Sequence, residues 1–152
     1  MRLSLLLLAL LSVPSVFADN TIQISNAWIN EAPPTVKVIA GYLTIKNISD
    51  KTLDLITASS PDFEKIEFHY TKMEDGIASM QKIDVIIIPA NSEFSFSPVE
   101  YHLMLFNGKK ALKEGDSVPL ELTFSDGQTI TINAEVKRAN ITTDISTEHH
   151  HH

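Results

Sequence analysis

The chain has 152 residues with 12 Lys and Arg against 19 Asp and Glu, a formal net charge of −7. This balance excludes a protein that grips nucleic acid or an anionic lipid surface through its overall charge. It contains no cysteine, which removes disulfide staples, thiolate catalysis and thiolate metal sites together.

Residues 1–18, MRLSLLLLALLSVPSVFA, read as a secretory leader. Arg2 supplies a positive start, the Leu-rich run is too short to span a bilayer, and Val16-Phe17-Ala18 is a small-residue cleavage site. Cleavage after Ala18 would leave one domain over residues 19–137 and a flexible tail over 138–152, with no apolar run of membrane-spanning length.

From there hydrophobicity alternates with a period of two, and no segment has a sustained helical period. Strands are expected at residues 22–29, 41–47, 51–58, 65–72, 77–88, 93–97, 101–106, 118–124 and 130–136. Eight or nine short strands indicate an all-β sandwich or barrel. Trp28, following the alternation that begins at Ile22, is expected in the core. Four of the five glycines stand in turn sequences such as Asp75-Gly76 and Asp126-Gly127, and Asp-Gly between alternating runs signals a hairpin with a type I′ turn. A two-residue turn at Asp75-Gly76 pairs Glu74 with Ile77, Thr71 with Met80 and His69 with Lys82. Beyond Lys137 the alternation ends and Thr, Ser and Asn accumulate before His149, His150, His151 and His152. The four histidines are either a residual purification tag or a native metal-gathering tail. The leader's presence favours a native tail, and clustered imidazoles would suit Cu(II).

Apart from Met1 and the final histidines, the chain has two His and three Met: His69, Met73, Met80, His102 and Met104. In KIEFHY, Ile66, Phe68 and Tyr70 alternate with Glu67 and His69. In YHLMLF, Tyr101, Leu103 and Leu105 alternate with His102 and Met104. Both histidines and Met104 are therefore expected on solvent-facing sides, with Met80 diagonal to His69. Methionine ordinarily fills cores, so thioethers on polar faces are informative. Two imidazoles and two thioethers form a soft donor set suited to Cu(I), and Met73 is a reserve candidate. Glu67 and Glu100 read as solvated strand residues. A blue-copper carrier would need a cysteine ligand, and no nucleophilic triad or third histidine suggests an enzyme. The alternative without metal is an exported β-sandwich serving interaction or assembly.

The spacing His69-x10-Met80-x21-His102-x-Met104 resembles the signature of the periplasmic Cu(I) chaperones called PCuAC. The similarity extends through NAWINEAPP, GYLTIKN, LITASSPDFEKIEFH and HLMLFNGKKALKEGDSVPLELTF. Tyr70 and Asn30 depart from residues common in that family. The resemblance implies a cupredoxin-like Greek-key β-barrel or sandwich and copper ligation by His69, Met80, His102 and Met104. It further implies delivery of copper toward the copper-A centre of cytochrome c oxidase, through subunit II or another copper-site assembly factor, without catalysis.

Overall fold

A computed structural model describes residues 21–138; the leader and the histidine tail lie outside them. The described chain is all-β and cupredoxin-like, with ten strands: β1 (Ile22–Asn30), β2 (Val38–Asn47), β3 (Leu53–Ser59), β4 (Lys65–Glu74), β5 (Ile77–Ile83), β6 (Ile86–Ile88), β7 (Ser92–Phe96), β8 (Tyr101–Phe106), β9 (Ser117–Phe124) and β10 (Thr129–Lys137). The expected strand over 77–88 is thus two. Its first part pairs with β4 and its second with β3, so the chain breaks at Asp84-Val85 in passing from one end of the sheet to the other.

The strands form one sheet in the order β5-β4-β8-β2-β1-β10-β9-β3-β6, with β7 also on β2. Long β2 serves two partners along one edge, pairing β8 over Val38–Gly41 and β7 over Leu43–Asn47. The sheet curls around Ile29, Ile45, Leu55, Leu103, Leu105, Leu122, Phe124 and Val136, all buried. These are the alternate residues of their strands, and their removal from water supplies the main stabilisation of a chain without disulfides. Gly41 is needed where β2 crosses the interior, because a Cβ there would lie 3.0 Å from the Leu105 side chain. Asn47, buried among these apolar groups, donates to the carbonyls of Lys51, Ile88 and Pro89 and accepts from Ser49, so its polarity is satisfied while it fastens three connections together.

Two turns and one strand differ in instructive ways. Asp75 and Gly76 both have positive φ, and Glu74 lies opposite Ile77, as a type I′ hairpin requires. At Asp126-Gly127 only Gly127 has positive φ, and the bonds Gly127 N–H to Phe124 C=O and Phe124 N–H to Gln128 C=O define a three-residue loop with a glycine bulge instead. In β1 the register advances three residues, Ser25 to Trp28, against two in β2, with Asn26 left-handed at φ 53. This bulge inverts the facing of all that follows. Ile29 therefore enters the core, and Trp28 is displaced from its expected core position to the outer face, half-buried against Tyr42 with ring centroids 4.4 Å apart.

Before β8, Ser97-Pro98-Val99-Glu100 makes a turn closed by the Glu100 N–H to Ser97 C=O bond, with Val99 at φ 76. That is the third position of a type II turn, where glycine is normal and a β-branched residue is strained. Val99 is also 75% exposed, so little packing opposes its replacement. Val99→Gly is expected to raise the unfolding free energy of the apo protein by about 1 kcal/mol, the lower end of the strain such a residue carries, measured by urea unfolding.

Candidate metal centre

The outer face of three adjacent strands, β5, β4 and β8, gathers the histidines and methionines of the described residues. Inward Ile66, Phe68 and Tyr70 turn Glu67, His69 and Thr71 outward on β4, and inward Leu103 and Leu105 do the same for His102 and Met104 on β8. Register then sets neighbours. His69 lies directly opposite His102 and Glu67 opposite Met104 across β4 and β8, while on the other side His69 faces Lys82 and Thr71 faces Met80. Met80 and Met104 are each diagonal to His69, one on either flanking strand. Met73 faces Ala78, one step further from the histidines.

The His69 and His102 ring centroids are 6.1 Å apart with planes inclined at 35°. Metal–imidazole bonds of about 2 Å, the length known for zinc, on either side of one ion span a gap of this order once the ring radii are added. Met80, His102 and Met104 line one open hollow with Ala40, Tyr42, Thr71 and Val99. His69 does not line it but lies directly beside His102 on β4.

His102 departs from its expected solvent-facing state. It points away from the core yet is only 4% exposed, because the outer face here is itself covered. Tyr42, which the Trp28 bulge helps to roof, and the Val99 turn border the same hollow. Met104 is half-buried, whereas Met80, on edge strand β5, is 62% exposed.

Glu67 also corrects its sequence expectation. Its carboxylate is largely covered, 3.0 Å from His69 Nε2, 2.9 Å from Lys65 Nζ and 3.7 Å from Lys82 Nζ. Its position two residues before His69, on the same strand face, was the signal available in KIEFHY. His102 Nδ1 lies 3.1 Å from the Glu100 carbonyl oxygen, which also accepts the Thr71 N–H at 3.0 Å and so ties the ring to the β4–β8 ladder. Glu100 thus acts through its backbone, its side chain resting on Ser97. One nitrogen of each ring remains buried without a hydrogen-bond partner, Nδ1 of His69 and Nε2 of His102. Orphaned buried lone pairs are costly and uncommon, and two on directly paired residues of adjacent strands are what a metal would satisfy.

Among the described residues no group of three or more His, Cys, Asp or Glu converges; the thioethers of Met80 and Met104 are the soft donors that share this face with the imidazoles. Two neutral nitrogens and two soft sulfurs suit a soft monovalent ion such as Cu(I).

The contact with His69, then that with Lys65, and the charges of Lys65 and Lys82 bring the pKa of Glu67 down to about 2. Burial pushes His102 below the ordinary imidazole value, against the opposing effect of the Glu100 carbonyl. Both folded-state pKa values are depressed, so in each case the unfolded chain takes up the proton first and stability falls with pH. The His102 contribution is complete above about 6.5 and lost as pH drops through and below that value. The Glu67 contribution is complete above about 4.5 and lost toward about 2. Urea unfolding of apo protein across pH is expected to show both declines, with His102→Gln flattening the first and Glu67→Gln the second.

Residues 22–136 match the family described as "Putative lipoprotein LpqE-like". A "Putative lipoprotein" of Leifsonia xyli subsp. xyli is 30% identical over 125 residues, covering 82% of this chain and 74% of that protein. An "Uncharacterized protein" of Rickettsia prowazekii is 29% identical over 130 residues, 81% of this chain and 70% of the other. Among solved structures, Cu(I)-bound DR1885 from Deinococcus radiodurans is 30% identical with a TM-score of 0.62, covering 75% of this chain and 76% of that one. The copper-bound PCuAC domain from PmoF2 has a TM-score of 0.67 at 24% identity, covering 80% and 97% respectively, a likeness of fold.

Proposed function

The chain belongs to the LpqE-like lipoprotein family and has the fold of PCuAC domains, and from that premise we propose that it is a copper chaperone of the cell envelope. It binds one Cu(I) through His69, Met80, His102 and Met104 and passes it on without turnover chemistry. The observation that carries this reading is a directly paired His69 and His102, each with a buried ring nitrogen without a partner, and two thioethers diagonal to His69. Copper is the cargo. Two uncharged imidazoles and two thioethers hold it without thiolate, which an oxidising compartment would consume.

The uneven burial of the donors suits hand-over. His102 is enclosed and Met80 is open to solvent on an edge strand, so an incoming donor from an acceptor can displace Met80 while the histidines still hold the ion. The acceptor in this reading is cytochrome c oxidase subunit II, at its copper-A centre, or another copper-site assembly factor. Export rests on residues 1–18 and places the protein in the periplasm.

Met80→Leu and Met104→Leu together are expected to weaken Cu(I) retention against a competing chelator by about tenfold or more, since loss of an outer-shell partner alone reaches that size. Each replacement should change folding stability by less than about 1.5 kcal/mol. Met73→Leu should leave retention unchanged. Full retention in the double variant rejects the assigned ligands.

The terminal His149–His152 run forms a second, weaker site for Cu(II) in this reading, distinct in softness from the first. Deleting residues 140–152 is expected to abolish Cu(II) uptake in an equilibrium titration and to leave Cu(I) uptake intact. Unchanged Cu(II) stoichiometry removes the tail from the mechanism.

A further inference from the structure

We propose that the two histidines present different ring nitrogens to the metal, His69 its Nδ1 and His102 its Nε2, and that Glu67 is the positioning residue that imposes the first choice. This inference rests on the copper reading for the identity of the ion, whereas the tautomers it assigns belong to the apo protein.

A neutral imidazole carries one N–H and one lone pair, and the partner of either nitrogen decides which is which. The Glu67 carboxylate can only accept, so His69 Nε2, 3.0 Å from Oε2, is the donor and Nδ1 keeps the lone pair. A carbonyl also only accepts, so His102 Nδ1, 3.1 Å from the Glu100 oxygen, is the donor and Nε2 keeps the lone pair. The nitrogens left with lone pairs by this assignment are the two that are buried without partners. Each lone pair thus lies on a nitrogen that is also buried from water.

Glu67 is held for this task from two strands. Lys65 reaches it from two residues back on β4, with its ammonium also 4.4 Å above the Phe106 ring, and Lys82 reaches it from β5. Two ammonium groups keep the carboxylate ionised, which makes it a strong, purely accepting partner. A carboxylate behind a ligating imidazole fixes ring and tautomer and raises ligand basicity.

The asymmetry has a geometric consequence. Nδ1 lies nearer its own backbone than Nε2 does, so β4 extends a short arm and β8 a long one. Their meeting point is displaced toward β4, the strand that borders β5 and carries the site toward Met80. Two Nε2 donors would place it midway between β4 and β8, further from Met80.

Long-range proton–nitrogen correlation spectra of 15N-labelled protein distinguish protonated from lone-pair imidazole nitrogens. In apo protein above the imidazole pKa range, His69 is expected as the Nε2–H tautomer and His102 as the Nδ1–H tautomer. Addition of Cu(I) should then shift His69 Nδ1 and His102 Nε2 while the other two nitrogens remain protonated. Glu67→Gln, whose amide can donate as well as accept, should erode the His69 tautomer but not that of His102, and lower Cu(I) affinity by about 10–100-fold. An Nδ1–H tautomer at His69 in the apo protein, or copper-induced shifts at Nε2 of both rings, overturns the proposal even where Cu(I) binds. The expected apo tautomers in a protein that takes up no Cu(I) uphold Glu67 as the positioning residue and overturn the copper reading instead.

Discussion

The antiparallel register of β4 against β8 is the constraint on which the site depends. It sets His69 directly opposite His102, with Phe68 opposite Leu103 on the other face. A one-residue slip of β4 would turn His69 into the core and carry Phe68 to the outside while His102 and Leu103 stayed in place, separating the two imidazoles. The same hydrophobic burial that stabilises the sheet therefore aligns its polar face. On the far side of β4, the tight Asp75-Gly76 turn pins β5 so that Met80 lies one step from His69.

The outer face of a sheet is ordinarily wet, and here it is partly roofed. The bulge at Asn26 turns Trp28 outward onto Tyr42, and Tyr42 borders the hollow that holds His102 and Met104. This cover desolvates the imidazoles and keeps His102 neutral, the only state in which a ring nitrogen has a lone pair to give. The cover stops at β5, an edge strand almost wholly exposed along its length. This face thus combines enclosed imidazole nitrogens with an open thioether, the combination on which the proposed hand-over relies.

Polar groups in this region hold one another in place. Glu67 is kept charged by Lys65 and Lys82, and it orients His69; the Glu100 carbonyl serves both the Thr71 N–H and His102. With its donors facing outward, the site leaves the core wholly apolar apart from Asn47, which is fully bonded. The fold can therefore be stable in the absence of metal, unlike small domains whose folding free energy is the binding free energy of the ion.

Alternation and turn chemistry determined the all-β class, most strand positions, the Asp75-Gly76 hairpin with its register, and the facing of His69, His102 and Met104, because side-chain period and two-residue turns are local properties of the chain. The spacing of the four candidate donors was likewise legible as a pattern. What escaped was non-local. The bulge that moves Trp28 outward depends on β1 accommodating β2, and the split of 77–88 into β5 and β6 depends on two partners at opposite ends of the sheet. His102 was expected exposed because a period-two pattern specifies which side of a strand a residue occupies, not what lies over that side. Glu67 was expected solvated because its cations come partly from β5, across a pairing that only the folded sheet provides. Sequence by itself therefore determined which residues face away from the core. Tertiary structure decided which of them are buried and which ring nitrogens are left without partners, because desolvation and hydrogen-bond partnership are set by neighbours distant in the chain.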